Sequence, residues 1–298
     1  MHVAGLQLDI AWEDPPANFA RAGRLAAVAK SAGAELVVLP EMFATGFSMD
    51  AEKVAAHAGG IRAFLADLAR REGVFVLGGY AEPAGAAPVG SVEVANLDNE
   101  NGEGARLSPA RPRNACALFD PAGTELVRYH KVHPFSYAGE HERFDGGNRV
   151  YTATIGGIRV TPVICYDLRF PELFRAAAAD TDLFLVIANW PVARRAHWST
   201  LLRARAIENQ AFVLGVNRVG EGDGLSYSGD SALIDPLGET LASAAGQPAV
   251  VVGDVAAEEV AAVRARFSFL ADRRPEVYRA ISAPAAGGVS GDGQAGGD

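Results

Sequence analysis

Three side chains in this sequence are suited to nucleophilic chemistry, and each stands at or just beyond the end of a short apolar run. They are Glu41, Lys131 and Cys165. A thiolate attacks a carbonyl-type carbon and divides a difficult hydrolysis into an acylation and a deacylation. A carboxylate beside it can take the thiol proton and pass it to a leaving amine, and a lysine ammonium stabilises the developing oxyanion. On an amide, such a trio needs neither a metal nor an organic cofactor.

Cys165 lies at the corner where an apolar strand, residues 160–164, passes through a polar turn into an Ala-rich helical pattern that begins at Pro171. In an α/β protein such a corner exposes a side chain at the carboxyl edge of the sheet. We expect the amino end of the helix to lower the pKa of the thiol, because free N–H groups and the helix dipole favour the thiolate. A strand cysteine is also often a small buried hydrophobe, so both interpretations stay open on spacing alone.

Glu41 follows the strand pattern 36–39 and Lys131 follows the pattern 126–129, so parallel strand ends could bring both to one edge. Each also has an ordinary interpretation, as a solvated loop glutamate and a surface lysine. His130, His133 and His141 lie near Lys131, but a His-x-x-His pair in a loop is a weak metal signal without further ligands. We therefore predict no metal.

Composition restricts the class of protein. The chain has 298 residues, of which 49% are hydrophobic, and a formal net charge of −9. This balance, without a basic block, argues against nucleic acid and anionic membranes as partners. The two cysteines, Cys116 and Cys165, match no disulfide framework and no zinc motif. The amino terminus is too short and polar for a signal peptide, and no apolar run is long enough to span a bilayer, so we expect a soluble, cytoplasmic protein.

Periodicity predicts one α/β domain. We expect strands at 3–10, 36–39, 74–80, 114–120, 125–129, 150–154, 157–164, 183–188, 212–217, 231–235 and 249–255, and helices at 18–31, 52–71, 171–179, 196–209 and 256–266. The domain is predicted to occupy residues 1–283. Within it, residues 82–112 lack a sustained period and are interpreted as a loop insertion, and the Gly- and Ala-rich residues 284–298 as a disordered tail.

Three motifs together resemble the nitrilase superfamily of carbon–nitrogen hydrolases. They are Pro-Glu-Met-Phe at 40–43, Tyr-His-Lys-Val-His-Pro-Phe at 129–135 and Cys-Tyr-Asp-Leu-Arg-Phe-Pro-Glu at 165–172. The resemblance assigns the Glu-Lys-Cys triad to Glu41, Lys131 and Cys165. It also implies an additional catalytic glutamate, Glu140, with Glu142 as the alternative. The fold it implies is a nitrilase-type αββα sandwich, a single α/β domain per subunit, assembled into a homodimer or a higher homo-oligomer without a cofactor.

The residues after Cys165 and three further segments bear on the substrate class. Nitrilases proper usually carry Cys-Trp-Glu, whereas this chain has Cys-Tyr-Asp at 165–167, which favours an amide over a nitrile. Residues 40–47, 189–210 and 227–231 are similar to the bacterial omega-amidase branch, which hydrolyses ω-monoamides of dicarboxylic keto acids such as 2-oxoglutaramate. The alternatives are an N-carbamoyl amino-acid hydrolase, another aliphatic amidase of the superfamily, and an inactive binding subunit.

A dicarboxylate amide requires a cation for its distal carboxylate, because an unpaired buried charge is costly. Arg169 is the first candidate, since its planar fork can hold a carboxylate, although it could instead pair with Asp167 or Glu172. Arg194 and Arg195 are the alternatives. Phe43 and Trp190 flank the motifs and are predicted to line the acyl pocket. The backbone N–H of Tyr166 is predicted to bind the oxyanion together with Lys131.

Overall fold

The computed structural model describes residues 1–86, 89, 92–96 and 110–282. Its strands are β1 His2–Gln7, β2 Leu36–Val38, β3 Phe75–Glu82, β4 Val92–Asn96, β5 Arg113–Phe119, β6 Glu125–His130, β7 Arg149–Ile155, β8 Ile158–Ile164, β9 Leu183–Ala188, β10 Phe212–Asn217, β11 Val219–Gly222, β12 Leu225–Ile234, β13 Thr240–Ala245 and β14 Ala249–Asp254. Its α-helices are α1 Pro15–Ser31, α2 Ala51–Ala55, α3 Ala58–Glu72, α4 Glu140–Arg143, α5 Pro171–Ala177, α6 Arg195–Asn209, α7 Ala257–Arg266 and α8 Pro275–Ser282.

Two sheets form the centre of the molecule. The first has the order β14-β1-β2-β3-β5-β6, in which β1, β2 and β3 run parallel and the outer strands antiparallel. The second has the order β11-β12-β10-β9-β8-β7-β4, with β8, β9 and β10 parallel. Every residue of β9 and β10 is buried, as expected for parallel strands covered on both faces.

Local sequence explains why helices cover the outer faces. The Asp14 side chain accepts a bond from the Ala17 N–H at 3.1 Å and caps α1, whose first helical residue is Pro15. Ala22, Ala26 and Ala29 then follow at helical spacing and are fully buried. These small side chains bring α1 close to α3 and the first sheet, where they share one hydrophobic core.

The second sheet is covered by α6, and a further core lies between the two sheets, where side chains of β2 and β5 meet those of β8 and β9. Helix, sheet, sheet and helix therefore follow one another as layers. The predicted αββα sandwich is confirmed. No helix in the described part of the chain combines the length and apolar character needed to cross a membrane.

Some predicted boundaries differ from the structure. The segment 82–112, interpreted as a loop, contains β4, which pairs antiparallel with β7. The helix expected at 52–71 is divided between α2 and α3, and α3 starts beside Gly59 and Gly60, which have low helix propensity. The proposed disordered tail, and residues 87–88, 90–91 and 97–109 of the insertion, lie outside the described residues.

Candidate active site

Glu41 reaches the site from the end of β2. The chain after β2 lies against β3, where the Gly79 N–H donates to the Pro40 carbonyl at 3.2 Å and the Phe43 N–H donates to the Gly79 carbonyl at 3.2 Å. A Cβ at Gly79 would stand 2.7 Å from the Glu41 Cα, so only glycine permits this approach. The Glu41 side chain is fully buried.

Lys131 follows β6 and lies between two carboxylates. Its Nζ is 3.0 Å from Glu41 Oε1, and 3.1 and 2.8 Å from Oε1 and Oε2 of Glu140. Burial alone would lower the pKa of Lys131, but the Glu140 and Glu41 carboxylates outweigh it and raise that pKa above its usual range. Lys131 is therefore a permanent ammonium that is 1% exposed.

Glu140 is the first residue of α4 and is fully buried, whereas Glu142 is exposed. The Phe135 N–H donates to Glu140 Oε2 at 2.5 Å. The pKa of Glu140 is raised above its usual value. Burial is the main cause and the Glu41 carboxylate adds to it, while the Lys131 ammonium opposes both. Of the two glutamates offered by the sequence, the structure thus brings Glu140 to the cluster.

Cys165 lies directly after β8 with a positive φ of 48°, a left-handed backbone conformation that residues other than glycine rarely adopt. A 3₁₀ turn, Cys165–Arg169, separates it from α5. Burial and the Glu41 carboxylate, which lies within hydrogen-bonding reach, raise the pKa of the thiol well above its usual range, against an opposing effect of Lys131. The expectation that the helix end lowers this pKa is wrong, because that helix begins only at Pro171 and burial dominates.

Two asparagines that the sequence reasoning missed complete the cluster. Asn114, the second residue of β5, donates from Nδ2 to Glu41 Oε1 at 2.7 Å and to Glu140 Oε1 at 2.8 Å. The Asn189 N–H donates to Glu41 Oε2 at 2.8 Å. In the sequence, each appears as a polar residue at one end of an otherwise apolar strand pattern. That pattern could have indicated a site, because a buried amide requires hydrogen-bond partners.

Cys165 faces a pocket with a cavity volume of about 120 Å³. Its lining residues are Phe47, Met49, Phe135, Ala138, Cys165, Tyr166, Arg169, Asn189, Trp190, Pro191, Arg194, Asp223, Leu225 and Tyr227. The predicted lining residue Trp190 is among them, and so is Tyr166, whose backbone N–H was the predicted oxyanion donor. A mostly apolar and aromatic lining with a few polar groups is typical of a site for a small molecule.

The interpretation of Phe43 as a pocket residue is wrong. Phe43 is fully buried and its ring lies 6.1 Å from that of Phe19 and 5.9 Å from that of Phe64, centroid to centroid. Its apolar ring packs beneath α1 and α3 and is absent from the pocket lining. Phe47, four residues later, lines the pocket instead, with its ring centroid 5.2 Å from Lys131 Nζ.

Arg169 lines the pocket and does not form the alternative ion pair with Asp167 or Glu172. Its guanidinium carbon lies 4.8 Å from the Trp190 ring centroid, and its Nη2 is 3.3 Å from His197 Nδ1. Asp167 is occupied elsewhere, because it accepts bonds from Tyr129, His133 and the Ile164 N–H. The pocket therefore contains a partly buried guanidinium without a carboxylate partner among the described residues.

The two neighbouring arginines differ. Arg194 lines the pocket, with its guanidinium carbon 5.4 Å from the Phe135 ring centroid. Arg195 points away and forms an ion pair with Asp230 at 2.5 Å. Two arginines, Arg169 and Arg194, thus give the pocket wall a positive charge, and among the described lining residues the exposed Asp223 is the one acidic side chain.

The histidines near Lys131 do not assemble a metal site. His130 is buried, and burial together with Arg113 and Arg128 lowers its pKa to about 4. The Nδ1 of His133 is 2.8 Å from Asp167, and His141 is exposed. Among the described residues no group of three or more His, Cys, Asp or Glu side chains could hold a metal ion.

A protonated thiol, a carboxylate within its reach and a buried ammonium meet at the base of one small pocket. The carboxylate can take the thiol proton as the sulfur attacks, and the ammonium supplies positive charge where an oxyanion develops. This combination suits acyl transfer through a thioester.

Known proteins are similar to this chain over most of its length. A sequence profile of the family described as carbon-nitrogen hydrolase matches residues 2–265. An omega-amidase from Yersinia enterocolitica is 39% identical over 264 residues, 88% of this chain and 92% of that enzyme. A 2-oxoglutaramate amidase from Bacillus subtilis is 29% identical over 279 residues, 93% of this chain and 98% of that enzyme.

A solved structure is similar over almost the whole chain. It is a variant of the amidase from Nesterenkonia sp. AN1 that carries the product of Michael addition of acrylamide at its active site cysteine. The two chains are 26% identical and superimpose with a TM-score of 0.76 over 94% of this chain and 99% of that one.

Proposed function

The chain belongs to the carbon–nitrogen hydrolase family and is an amide-hydrolysing enzyme, and we propose that Cys165 is its nucleophile and ω-monoamides of dicarboxylic keto acids its substrates. This membership confirms the prediction made from the three motifs. The observation that carries the proposal is the buried Glu41–Lys131–Glu140 cluster beneath a pocket that holds Cys165 and two arginines.

Acylation begins with a protonated thiol, because burial and Glu41 raise the pKa of Cys165. As the sulfur bonds to the amide carbon, its proton passes to Glu41 and the carbonyl electron pair moves onto oxygen. Glu41 then delivers that proton to the nitrogen, the carbon–nitrogen bond breaks and ammonia leaves. A thioester on Cys165 remains.

Lys131 acts on the oxyanion in step with this transfer. In the resting site its Nζ contacts three carboxylate oxygens, which engage all the hydrogens of an ammonium. When Glu41 accepts the thiol proton it loses its negative charge, and its bond to Lys131 weakens. The released N–H, with the Tyr166 backbone N–H, can then stabilise the oxyanion.

Deacylation uses the same residues in reverse. Glu41 takes a proton from water as the water oxygen attacks the thioester carbon, and returns it to the departing Cys165 sulfur. The net reaction is amide plus water to carboxylic acid plus ammonia. Glu140 holds Lys131 in place through both steps.

The positive pocket wall supports a substrate with a distal carboxylate. Arg169 and Arg194 both line the pocket and neither has an ion-pair partner among the described residues, so an incoming carboxylate would satisfy them. The relatives named for omega-amidase and 2-oxoglutaramate amidase activity point to the same chemistry.

A release assay tests the proposal. Purified enzyme is given succinamate, 2-oxoglutaramate, glutamine, propionamide, a carbamoyl amino acid and a nitrile, and ammonia and carbon dioxide are measured. We expect ammonia without carbon dioxide, with 2-oxoglutaramate and succinamate preferred over propionamide. Turnover of the nitrile alone, or carbon dioxide from the carbamoyl compound alone, would overturn the substrate assignment.

We also propose that the enzyme is cytoplasmic and, as the family resemblance implies, a homodimer or a higher homo-oligomer. Sedimentation velocity on the full chain measures the mass directly. A monomer at micromolar concentration would contradict the proposed assembly without affecting the proposed reaction.

A further inference from the structure

The two glutamates that flank Lys131 differ in how many acceptor positions remain open. A carboxylate offers about four lone-pair positions. In Glu140 all of them face N–H donors, two contacts coming from Lys131, one from Asn114 and one from the Phe135 backbone. Glu140 therefore has no open position for a proton.

Glu41 keeps one position open. Its Oε1 accepts from Lys131 at 3.0 Å and from Asn114 at 2.7 Å, which fills both positions on that oxygen. Its Oε2 accepts from the Asn189 N–H at 2.8 Å. The remaining position is therefore on Oε2, and a thiol proton can arrive only there.

Asn114 fills one acceptor position on each carboxylate, and together with Lys131 it occupies both positions on Glu41 Oε1. Its single Nδ2 donates one hydrogen to each carboxylate, and its backbone carbonyl accepts from the Lys131 N–H at 2.8 Å. It is 1% exposed, and its buried Oδ1 has no hydrogen-bond partner among the described residues, so no competing bond from them fixes the amide orientation. The two carboxylates alone hold it.

Resting on the proposed function, we propose that Asn114 is a positioning residue that occupies Glu41 Oε1 and so directs the thiol proton to Glu41 Oε2. During acylation the proton moves from Cys165 Sγ to Oε2 as the sulfur–carbon bond forms. It moves on to nitrogen as the carbon–nitrogen bond breaks. Without the Asn114 donor, Oε1 has an open position and only Lys131 and the Asn189 N–H, among the described donors to this carboxylate, still hold it. The thiol proton can then go to either oxygen, and the carboxylate is less firmly placed beside the sulfur.

Three variants test the role of Asn114. Asn114→Ala removes both donors, Asn114→Ser retains one hydroxyl donor, and Asn114→Asp keeps the shape but replaces the donors by a third acceptor. Misplacement of a catalytic group by about an ångström costs about 10²-fold in rate. We expect kcat to fall by about that factor in Asn114→Ala and less in Asn114→Ser, and KM to stay within about threefold, because Asn114 does not line the pocket.

Asn18→Ala is the matched control. Asn18 is also 1% exposed, and its Nδ2 also donates two bonds, to the carbonyls of Ala11 and Ala44. Removing it costs buried hydrogen bonds of the same kind and lowers the melting temperature. We expect it to leave kcat within about twofold of the native value, since it contacts no carboxylate of the cluster.

Alkylation of Cys165 by iodoacetamide, followed by mass spectrometry, supplies a readout that needs no substrate. The rate should fall in the Asn114 variants and not in Asn18→Ala. Native-like kcat and alkylation in Asn114→Asp or Asn114→Ala would overturn the inference, as would an equal loss in Asn18→Ala. If ω-amides are not substrates but alkylation still follows the Asn114 series, the substrate proposal fails and the positioning role stands.

Discussion

Replacing Lys131 by Met tests the electrostatics of the site most directly. The substitution preserves an unbranched side chain of similar length but leaves Glu41 and Glu140 fully buried without a cation. Removing one partner from a buried ion pair typically costs about 3–5 kcal/mol of unfolding free energy, because the remaining charge is uncompensated. In a domain of this size that cost corresponds to a melting temperature lower by roughly 10 °C.

The destabilisation should depend on pH. Burial raises the pKa of Glu140 and Lys131 opposes that rise, so removing Lys131 raises this pKa further. A carboxyl whose pKa is higher in the folded than in the unfolded state binds more protons when folded, and stability then falls as pH rises between the two values. Lys131→Met should therefore lose more stability at pH 8 than at pH 5.

Urea unfolding followed by circular dichroism at both pH values measures this effect. Lys53→Met is the matched control, because Lys53 pairs with Glu13 at the surface and its loss should leave the unfolding midpoint unchanged. Adding Glu140→Gln to Lys131→Met should restore part of the stability by removing one unpaired charge. A Lys131→Met midpoint equal to the native one at pH 8 would refute the electrostatic reasoning.

Three further predictions concern the reaction and acid stability. Cys165→Ala should abolish ammonia release while the circular dichroism spectrum and melting temperature stay native; measurable turnover would remove Cys165 from the mechanism. Arg169→Leu and Arg194→Leu should raise KM for succinamate by about 10-fold or more and leave propionamide unaffected, since a charge-assisted hydrogen bond contributes about 1.5–3 kcal/mol; equal effects on both amides would contradict a carboxylate contact. Because the pKa of His130 is lowered to about 4, its contribution to the free energy of unfolding is lost as pH falls from about 6.5 to 4. In urea unfolding, His130→Asn should flatten that part of the plot of stability against pH. An unchanged plot would contradict the role given to His130.

Much of the fold could be predicted because its signals are local. Strand β9 is a continuous apolar run and β10 is apolar up to Asn217, and both have the predicted bounds. Helix α1 begins at Pro15, three residues before the predicted start at Asn18, because Asp14 caps it and the prolines belong to its first turn. The predictions were less accurate for segments whose local signals are weaker. The strand β4 lies in a Gly- and Pro-rich stretch, and it is defined by its pairing with β7, which lies more than fifty residues further along the chain.

The sequence by itself determined the chemical types and their order along the chain: a carboxylate, an ammonium and a thiol, each at the end of its own strand. Only the tertiary structure decided which neighbours complete the site. Glu140 rather than Glu142 reaches Lys131, and Phe47 rather than Phe43 lines the pocket. The physical reason is that the site joins residues far apart in sequence, such as Asn189 and Glu41, whose meeting depends on how two sheets pack. Even the nearby Glu140 reaches Lys131 only through the path of the loop between them, which local sequence signals do not specify.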